Sequence, residues 1–145
     1  MNAQAQAAGD LPPEYGASIT LAQAKKVMEA AEKEAAKRGW PMVIAIVDTG
    51  GHMVTFARMD QAQMGSVKVA RLKAETAAFF RRPTKVFEDG IGAGGHRLLS
   101  LPEVLALEGG LPIMHHGKVI GGIGVSGMAS PQDAEVARAG LAALS

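Results

Sequence analysis

The hydrophobic positions near the start of the chain follow a helical pattern. They recur at intervals of three and four residues, at Leu21, Ala24, Met28, Ala31 and Ala35. This spacing places apolar side chains on one face of a helix. Thr20 and Gln23 have the positions of a capping box, and Gly39 supplies a residue suited to ending the helix. We therefore expect a helix between Thr20 and Gly39.

The pattern then changes to that of a β-hairpin. Met42–Val47 is apolar and rich in β-branched residues, which predicts a strand covered on both faces. Asp48–Gly51 has the composition of a turn, and His52–Arg58 alternates as a returning strand does.

Helical spacing returns from Gln63 to Phe80, and the Arg81–Pro83 segment ends that helix. Thr84 is suited to cap a short helix that extends through Glu88. The glycines of the segment 90–95 indicate a loop after it.

The last third of the chain predicts more strands and a closing helix. Its three short apolar runs are Val104–Leu107, Leu111–His115 and Lys118–Val125. His116–Gly117 forms a two-residue hairpin tip, because both residue types tolerate a positive φ. Ser130 is the predicted cap of a helix with Pro131 at its first position and Asp133 in its first turn. This order predicts an α+β fold, an antiparallel sheet flanked by helices.

Length and charge narrow the class of protein. The chain has 145 residues and no internal repeat, so we expect a flexible N-terminal arm at 1–17 and a single domain at 18–145. Its 15 basic and 14 acidic residues nearly balance, which argues against nucleic acid as a partner.

The absence of cysteine excludes disulfides and thiolate metal ligands. No apolar run approaches the roughly 20 residues of a membrane span, and residues 1–10 do not resemble a signal peptide, so we expect a cytoplasmic protein.

Two glycine clusters match the dinucleotide-binding spacing G-x-G-x-x-G. They are Gly90, Gly92 and Gly95, and Gly122, Gly124 and Gly127. The first cluster follows a helix instead of a strand, and the second lies in a strand with too little chain after it for a βαβ unit. Both are expected to be packing glycines.

The histidines are the candidates for metal binding. His115 and His116 are adjacent in a strand, so their side chains point to opposite faces and disfavour a shared zinc ion. A single imidazole suffices for haem iron, because the porphyrin supplies four ligands. His52 and His96 each follow a glycine segment and could face a cavity, although a structural role is the more common one for a lone histidine.

Two other polar segments have both a structural and a functional interpretation. Arg58 and Asp60 stand where a strand leaves the sheet, either as a surface ion pair or with Arg58 holding a ligand carboxylate. Lys73 or Arg97 would assist Arg58 in that role.

The segment Glu108–Gly110 is either a loop between strands or a place where a carboxylate and the amides of Gly109 and Gly110 meet a bound molecule.

Four segments together resemble the GlcG/HbpS-like family, which includes the C-terminal domain of PduO-type corrinoid adenosyltransferases. They are Val47–Asp60, Lys73–Ala77, Glu108–Ile113 and Val119–Gly127. The resemblance covers about residues 18 to 144. It implies a profilin-like or PAS-like sheet and a homo-oligomer. It also implies either haem binding, with haem-linked sensing or degradation, or a role near small organic acid catabolism. His52 matches the family's Asp-x-x-Gly-His pattern, whereas the His115–His116 pair is less typical.

Two main hypotheses follow. In the first, the protein binds haem or a related tetrapyrrole, with His52, His96 or His115 on the iron and Arg58 or Arg97 on the propionates.

In the second, a cofactor-free tautomerase or hydrolytic deaminase acts on a small unsaturated or amino-substituted carboxylic acid. Arg58 would fix the acid, His52 or Glu108 would move the proton, and the Gly109–Gly110 amides would stabilise negative charge. A third hypothesis is a structural or sensing domain that catalyses no reaction. Both main hypotheses need the first hairpin and the Glu108 turn to converge on one cavity, which a second copy of the chain could complete.

Overall fold

The computed structural model describes residues 11–144. In chain order the helices and strands are α1 (Leu21–Arg38), β1 (Val43–Asp48), β2 (Met53–Arg58), α2 (Ser66–Phe80), α3 (Lys85–Gly92), β3 (Gly110–His115), β4 (Lys118–Ser126) and α4 (Ser130–Leu141). Two short 3-10 turns cover His96–Ser100 and Ala142–Leu144. The predicted α+β fold is confirmed.

The four strands form one antiparallel sheet in the order β2-β1-β4-β3. The two hairpins therefore lie side by side, with β1 and β4 in the centre and β2 and β3 at the edges. The tip of the second hairpin is the predicted one, because His116 and Gly117 have φ angles of 51° and 76°. This arrangement separates the two edge strands by the width of the sheet.

Alternation along β1 divides the core into two layers. Ile44 and Ile46 belong to the cluster that includes residues of α1 and α4, whereas Val43, Ala45 and Val47 belong to the cluster under α2. Strand β1 is buried on both faces, as its unbroken apolar sequence predicts.

The glycines of β4 allow α2 to rest on the sheet. A Cβ atom at Gly124 would overlap the carbonyl oxygen of Ala70, and one at Gly122 would overlap that of Ala74. The predicted packing role of this glycine cluster is confirmed.

Helix α1 begins and ends as predicted. The Thr20 hydroxyl accepts a hydrogen bond from the Gln23 backbone N–H at 3.1 Å, and the Gln23 side-chain oxygen accepts one from the Thr20 N–H at 2.9 Å. Gly39 ends the helix in the left-handed conformation, with a φ of 72°.

The strand predicted at Val104–Leu107 is wrong. Side chains take the backbone donors that a neighbouring strand would otherwise bind: the Leu105 N–H donates to the Thr76 hydroxyl at 3.1 Å, and the Glu108 N–H donates to the Glu88 carboxylate at 3.2 Å. The segment is an irregular connection, so the sheet has four strands where the sequence predicts five.

Helix boundaries also differ from the prediction, beginning with α2, which starts at Ser66 instead of Gln63. Helix α3 continues through Gly92, beyond the predicted end at Glu88 and into the glycines expected to form a loop. Helix α4 has Ala129 at its cap position, one residue before the predicted cap, and the Gln132 side chain accepts a hydrogen bond from the Ala129 N–H at 3.1 Å.

The described part of the predicted arm lies along β4. The Val119 N–H donates to the Glu14 carbonyl oxygen and the Gly16 N–H donates to the Val119 carbonyl oxygen, both at 2.8 Å. Strand β1 ends opposite Gly121, so these arm residues continue its position in the sheet. The first ten residues lie outside the described part, and the division at residue 17 stays a prediction. No helix formed by residues 11–144 has the length and apolarity needed to cross a bilayer.

Candidate functional site

The turn between β1 and β2 displays His52. The Asp48 carboxylate accepts hydrogen bonds from the backbone N–H groups of Gly50 and His52, both at 2.9 Å, which fixes it in the turn. The same Oδ1 atom lies 3.3 Å from Nδ1 of His52, whose side chain is 82% exposed. A carboxylate against one ring nitrogen orients an imidazole and leaves the other nitrogen available to a ligand.

Exposed apolar side chains flank this turn. Met53 and Phe56 pair with Val47 and Ala45, so their side chains lie on the face of the sheet that α2 covers. Helix α2 packs over β1, β3 and β4 and leaves β2 uncovered. Met53 and Phe56 are therefore exposed. The exposed ring of Phe79 packs on Gly51, where a Cβ atom would overlap it. We call His52, Met53, Phe56 and Phe79 the hairpin patch.

Arg58 lies at the other end of β2. Its Nη1 atom is 3.3 Å from the Met64 sulfur, and it lines an open cavity of about 410 Å³ together with Asp60 and Gln61. Six residues of extended chain separate Arg58 from His52, a distance of about 20 Å. Arg58 is therefore too remote to join His52 around a small ligand in one copy of the chain.

The segment Glu108–Gly110 lies at the opposite edge of the sheet, before β3. The Gly110 N–H donates to the Thr84 hydroxyl at 2.9 Å, and the Thr84 N–H donates to the Gly110 carbonyl oxygen at 3.0 Å. The segment Glu108–Gly110 lines a cavity of about 160 Å³, and Lys85 and Arg138 are among the other lining residues. Three interstrand spacings, about 14 Å, separate the two edge strands, so one copy does not bring Arg58 and Glu108 together. A cavity completed by a second copy stays a prediction.

Lys73 does not project toward a ligand, contrary to the sequence-based expectation. It is 1% exposed, and its ammonium donates to the Val125 carbonyl oxygen at 2.9 Å and to the Asp133 carboxylate at 3.0 Å. Burial raises the pKa of Asp133, while the charge of Lys73 and the Met128 N–H oppose that rise. The pair joins α2 to α4 and is structural.

The sequence predicts Asp133 only as an acidic residue in the first turn of its helix and not as the partner of Lys73. One signal was available: Lys73 lies three residues after Ala70 and four before Ala77, which places it on the buried face of α2, where a lysine needs an acidic partner.

The remaining candidate residues lie on other elements. His96 and Arg97 are exposed on the 3-10 turn after α3. His115 is half-buried at the end of β3, with its ring centroid 4.0 Å from that of His116. The expectation that these two side chains point to opposite faces is wrong, because His116 lies in the turn with a φ of 51° and not in the strand. Within residues 11–144 no three histidine or carboxylate side chains are grouped as metal ligands. The structure thus separates His52, His96 and His115 into three locations.

The fold is that of a small α+β protein with one antiparallel sheet between two helical layers. A family model described as "Haem degrading protein HbpS-like" matches residues 19–142, and the chain belongs to this HbpS-like family.

Three named proteins that are similar to this chain cover most of its length. GlcG of Escherichia coli K12 is 38% identical over 108 residues, which cover 74% of this chain and 81% of GlcG. The structure of a double mutant of HbpS from Streptomyces reticuli is 33% identical with a TM-score of 0.82, and it covers 94% of this chain and 92% of that chain. The structure of a PduOC complex with haem is 28% identical with a TM-score of 0.78, and it covers 87% of this chain and 94% of that chain.

Proposed function

We propose that this protein binds haem or a related tetrapyrrole at the hairpin patch, with the His52 imidazole as an axial ligand of the iron. The observation that carries the proposal is the position of the Asp48 carboxylate, 3.3 Å from Nδ1 of His52, whose side chain is otherwise exposed. A carboxylate beside one ring nitrogen helps to hold an imidazole in the orientation that a metal ligand needs.

The neighbouring side chains fit an apolar macrocycle. Met53, Phe56 and Phe79 are exposed apolar residues beside the same turn, and aromatic rings and thioethers pack well on a flat π system. A bound haem would supply an iron atom, which His52 would hold, while Met53, Phe56 and Phe79 would cover part of the macrocycle. The family description and the haem complex of the PduOC relative support this class of ligand.

The enzyme hypothesis has less support. It places Arg58 and Glu108 in one site, but within one copy these residues lie near opposite edges of the sheet. The strand order also removes, within one copy, the shared cavity that the sequence-based haem hypothesis required, so the haem site proposed here uses the hairpin patch without the Glu108 turn. We therefore propose ligand binding at the hairpin patch as the function of the site.

Titration of the purified apo-protein with haemin tests the proposal. We expect a saturable shift of the Soret band that His52→Ala abolishes. Asp48→Asn should weaken binding by about tenfold or more, because it removes the carboxylate that orients the ligand. His116→Ala is the matched control, since His116 is an exposed histidine on a different hairpin tip.

The controls distinguish the possible results. An unchanged haemin titration in His52→Ala would overturn the assignment of the axial ligand. Absence of any saturable shift in the unsubstituted protein would overturn haem binding itself.

A further inference from the structure

A groove outside the hairpin patch lies between the N-terminal arm and the end of α2. Its cavity measures about 410 Å³ and is lined by Leu11, Pro12, Pro13, Arg81, Arg82 and Val86. We call it the arm groove. Pockets of this size accommodate small organic molecules.

Two arginines in the arm groove are held by backbone carbonyls. Arg81 donates from Nη1 to the Pro13 carbonyl oxygen at 3.2 Å, and its guanidinium carbon lies 4.9 Å from the centroid of the Tyr15 ring. Arg82 donates from Nε to the Phe80 carbonyl oxygen at 2.9 Å. A guanidinium has five N–H donors, so these bonds orient each group and leave donors over.

Neither arginine has an acidic partner in the part of the chain that the structure describes. The ion pairs there involve Arg38, Arg71, His52, Lys73 and Lys85 as the cationic side chains. Arg81 and Arg82 therefore bring two positive charges to one groove without an acidic partner among residues 11–144. The planar donors of a guanidinium suit a carboxylate.

The other walls of the groove are apolar. Leu11 and Val86 are exposed large hydrophobic residues, and the two prolines add apolar ring surface. Such a groove suits a ligand with an apolar body and an acidic end.

The backbone at Arg81 adds a second argument. Arg81 ends α2 in the left-handed conformation, with a φ of 54°. Glycine is favoured at that position because a side chain is strained there. The Arg81 side chain binds the Pro13 carbonyl oxygen of the arm and lines the groove, and glycine has no side chain that could do either.

From these observations we infer that the arm groove binds an organic acid with one carboxylate and an apolar body, the carboxylate being held by Arg82 together with Arg81. The same chemistry is present in a free acid and in the propionate of a bound tetrapyrrole, and the experiment below separates these sources.

Hexanoate and its neutral match hexanamide are the probes, and amide chemical shifts of the labelled protein are the readout. We expect saturable shifts around Arg81, Arg82 and Val86 with hexanoate, and binding at least about tenfold weaker with hexanamide, because a charge-assisted hydrogen bond is lost. Arg82→Gln should weaken hexanoate binding by about the same factor. Arg71→Gln is the control, because Arg71 is an exposed arginine of α2 that is paired with Glu75 and does not line the arm groove.

A second variant separates binding from folding. Arg81→Gly relieves the left-handed strain, so it should remain folded by circular dichroism while hexanoate binding is lost. Absence of saturable shifts with hexanoate, or equal affinity in Arg82→Gln and the unsubstituted protein, would overturn the inference.

Repeating the titration on haemin-saturated protein identifies the source of the carboxylate. Unchanged hexanoate affinity supports a free acid as the ligand. Exclusion of hexanoate, together with weaker haemin binding in Arg82→Gln, supports a propionate.

Discussion

At the scale of single residues, the ion pair between Lys73 and Asp133 places two charges inside the core. Both side chains are almost fully buried, at 2% and 3% exposure, and their nitrogen and oxygen atoms are 3.0 Å apart. Removing one member of such a pair leaves the other charge buried without compensation.

We expect Lys73→Met to lower the free energy of unfolding by about 3 to 5 kcal/mol, because Asp133 then loses its cationic partner. Urea unfolding at neutral pH measures the change. Lys25→Met is the matched control, since Lys25 is exposed on α1 and should change stability by less than about 0.5 kcal/mol. Equal stability of the two variants would contradict the role assigned to Lys73.

The raised pKa of Asp133 predicts an unusual dependence of stability on pH. Its ordinary pKa is 3.8, and burial raises the pKa in the folded protein. Between these two values the folded state binds more protons than the unfolded state, so the contribution of Asp133 to stability falls as pH rises. The unfolding free energy of the native protein minus that of Asp133→Asn should therefore decrease above about pH 4 and level off above the folded pKa. A difference that grows with pH over this range would refute the predicted sign.

At the scale of helices and strands, the close packing of α2 on β4 depends on glycine. We expect Gly124→Ala to destabilise the fold by about 1 to 3 kcal/mol, because the added methyl group must displace the backbone of α2. Gly92→Ala is the control: its Cβ atom meets no other atom within 4 Å, and alanine in α3 should stabilise by about 0.5 to 1 kcal/mol. Thermal unfolding compares the two variants, and a loss of stability from both would contradict this account.

The elements also show how far the sequence predicts the structure. The capping residues Thr20 and Gln23 predict α1 correctly because their interactions are local. The segment Val104–Leu107 has the composition of a strand, but the bond from Leu105 to Thr76 depends on a residue 29 positions away. Such long-range competition for backbone donors leaves no trace in local periodicity.

The site shows the same division between local and long-range information. His52 and Asp48 are four residues apart, so a turn motif is enough to bring them together. The separation of Arg58 from Glu108 follows from the strand order β2-β1-β4-β3, which local patterns do not determine. The arm groove likewise depends on contacts between Pro13 and Arg81, 68 positions apart.

At the scale of the whole molecule, the arm links the sheet to the end of α2. The Tyr15 hydroxyl lies 2.8 Å from the Ala78 carbonyl oxygen and 3.0 Å from that of Phe79, so it caps the helix from outside. The backbone of the arm accepts the Val119 N–H through the Glu14 carbonyl oxygen. One tyrosine therefore stabilises both the position of the arm on β4 and one wall of the arm groove.

We expect Tyr15→Ala to release the arm from β4 while the rest of the fold persists, because the variant loses both the hydroxyl contacts and the ring beneath Arg81. The Val119 N–H should then exchange with solvent about tenfold faster, corresponding to the roughly 1.4 kcal/mol that one buried hydrogen bond contributes. Tyr15→Phe should give a smaller increase in the exchange rate of the Val119 N–H, since the phenylalanine ring remains beneath the Arg81 guanidinium. Hydrogen exchange measured by NMR separates this local opening from global unfolding, because the amides of the central strand β1 should keep their rates. Equal acceleration at Val119 and throughout β1 would mean that Tyr15 stabilises the whole fold instead of the arm alone.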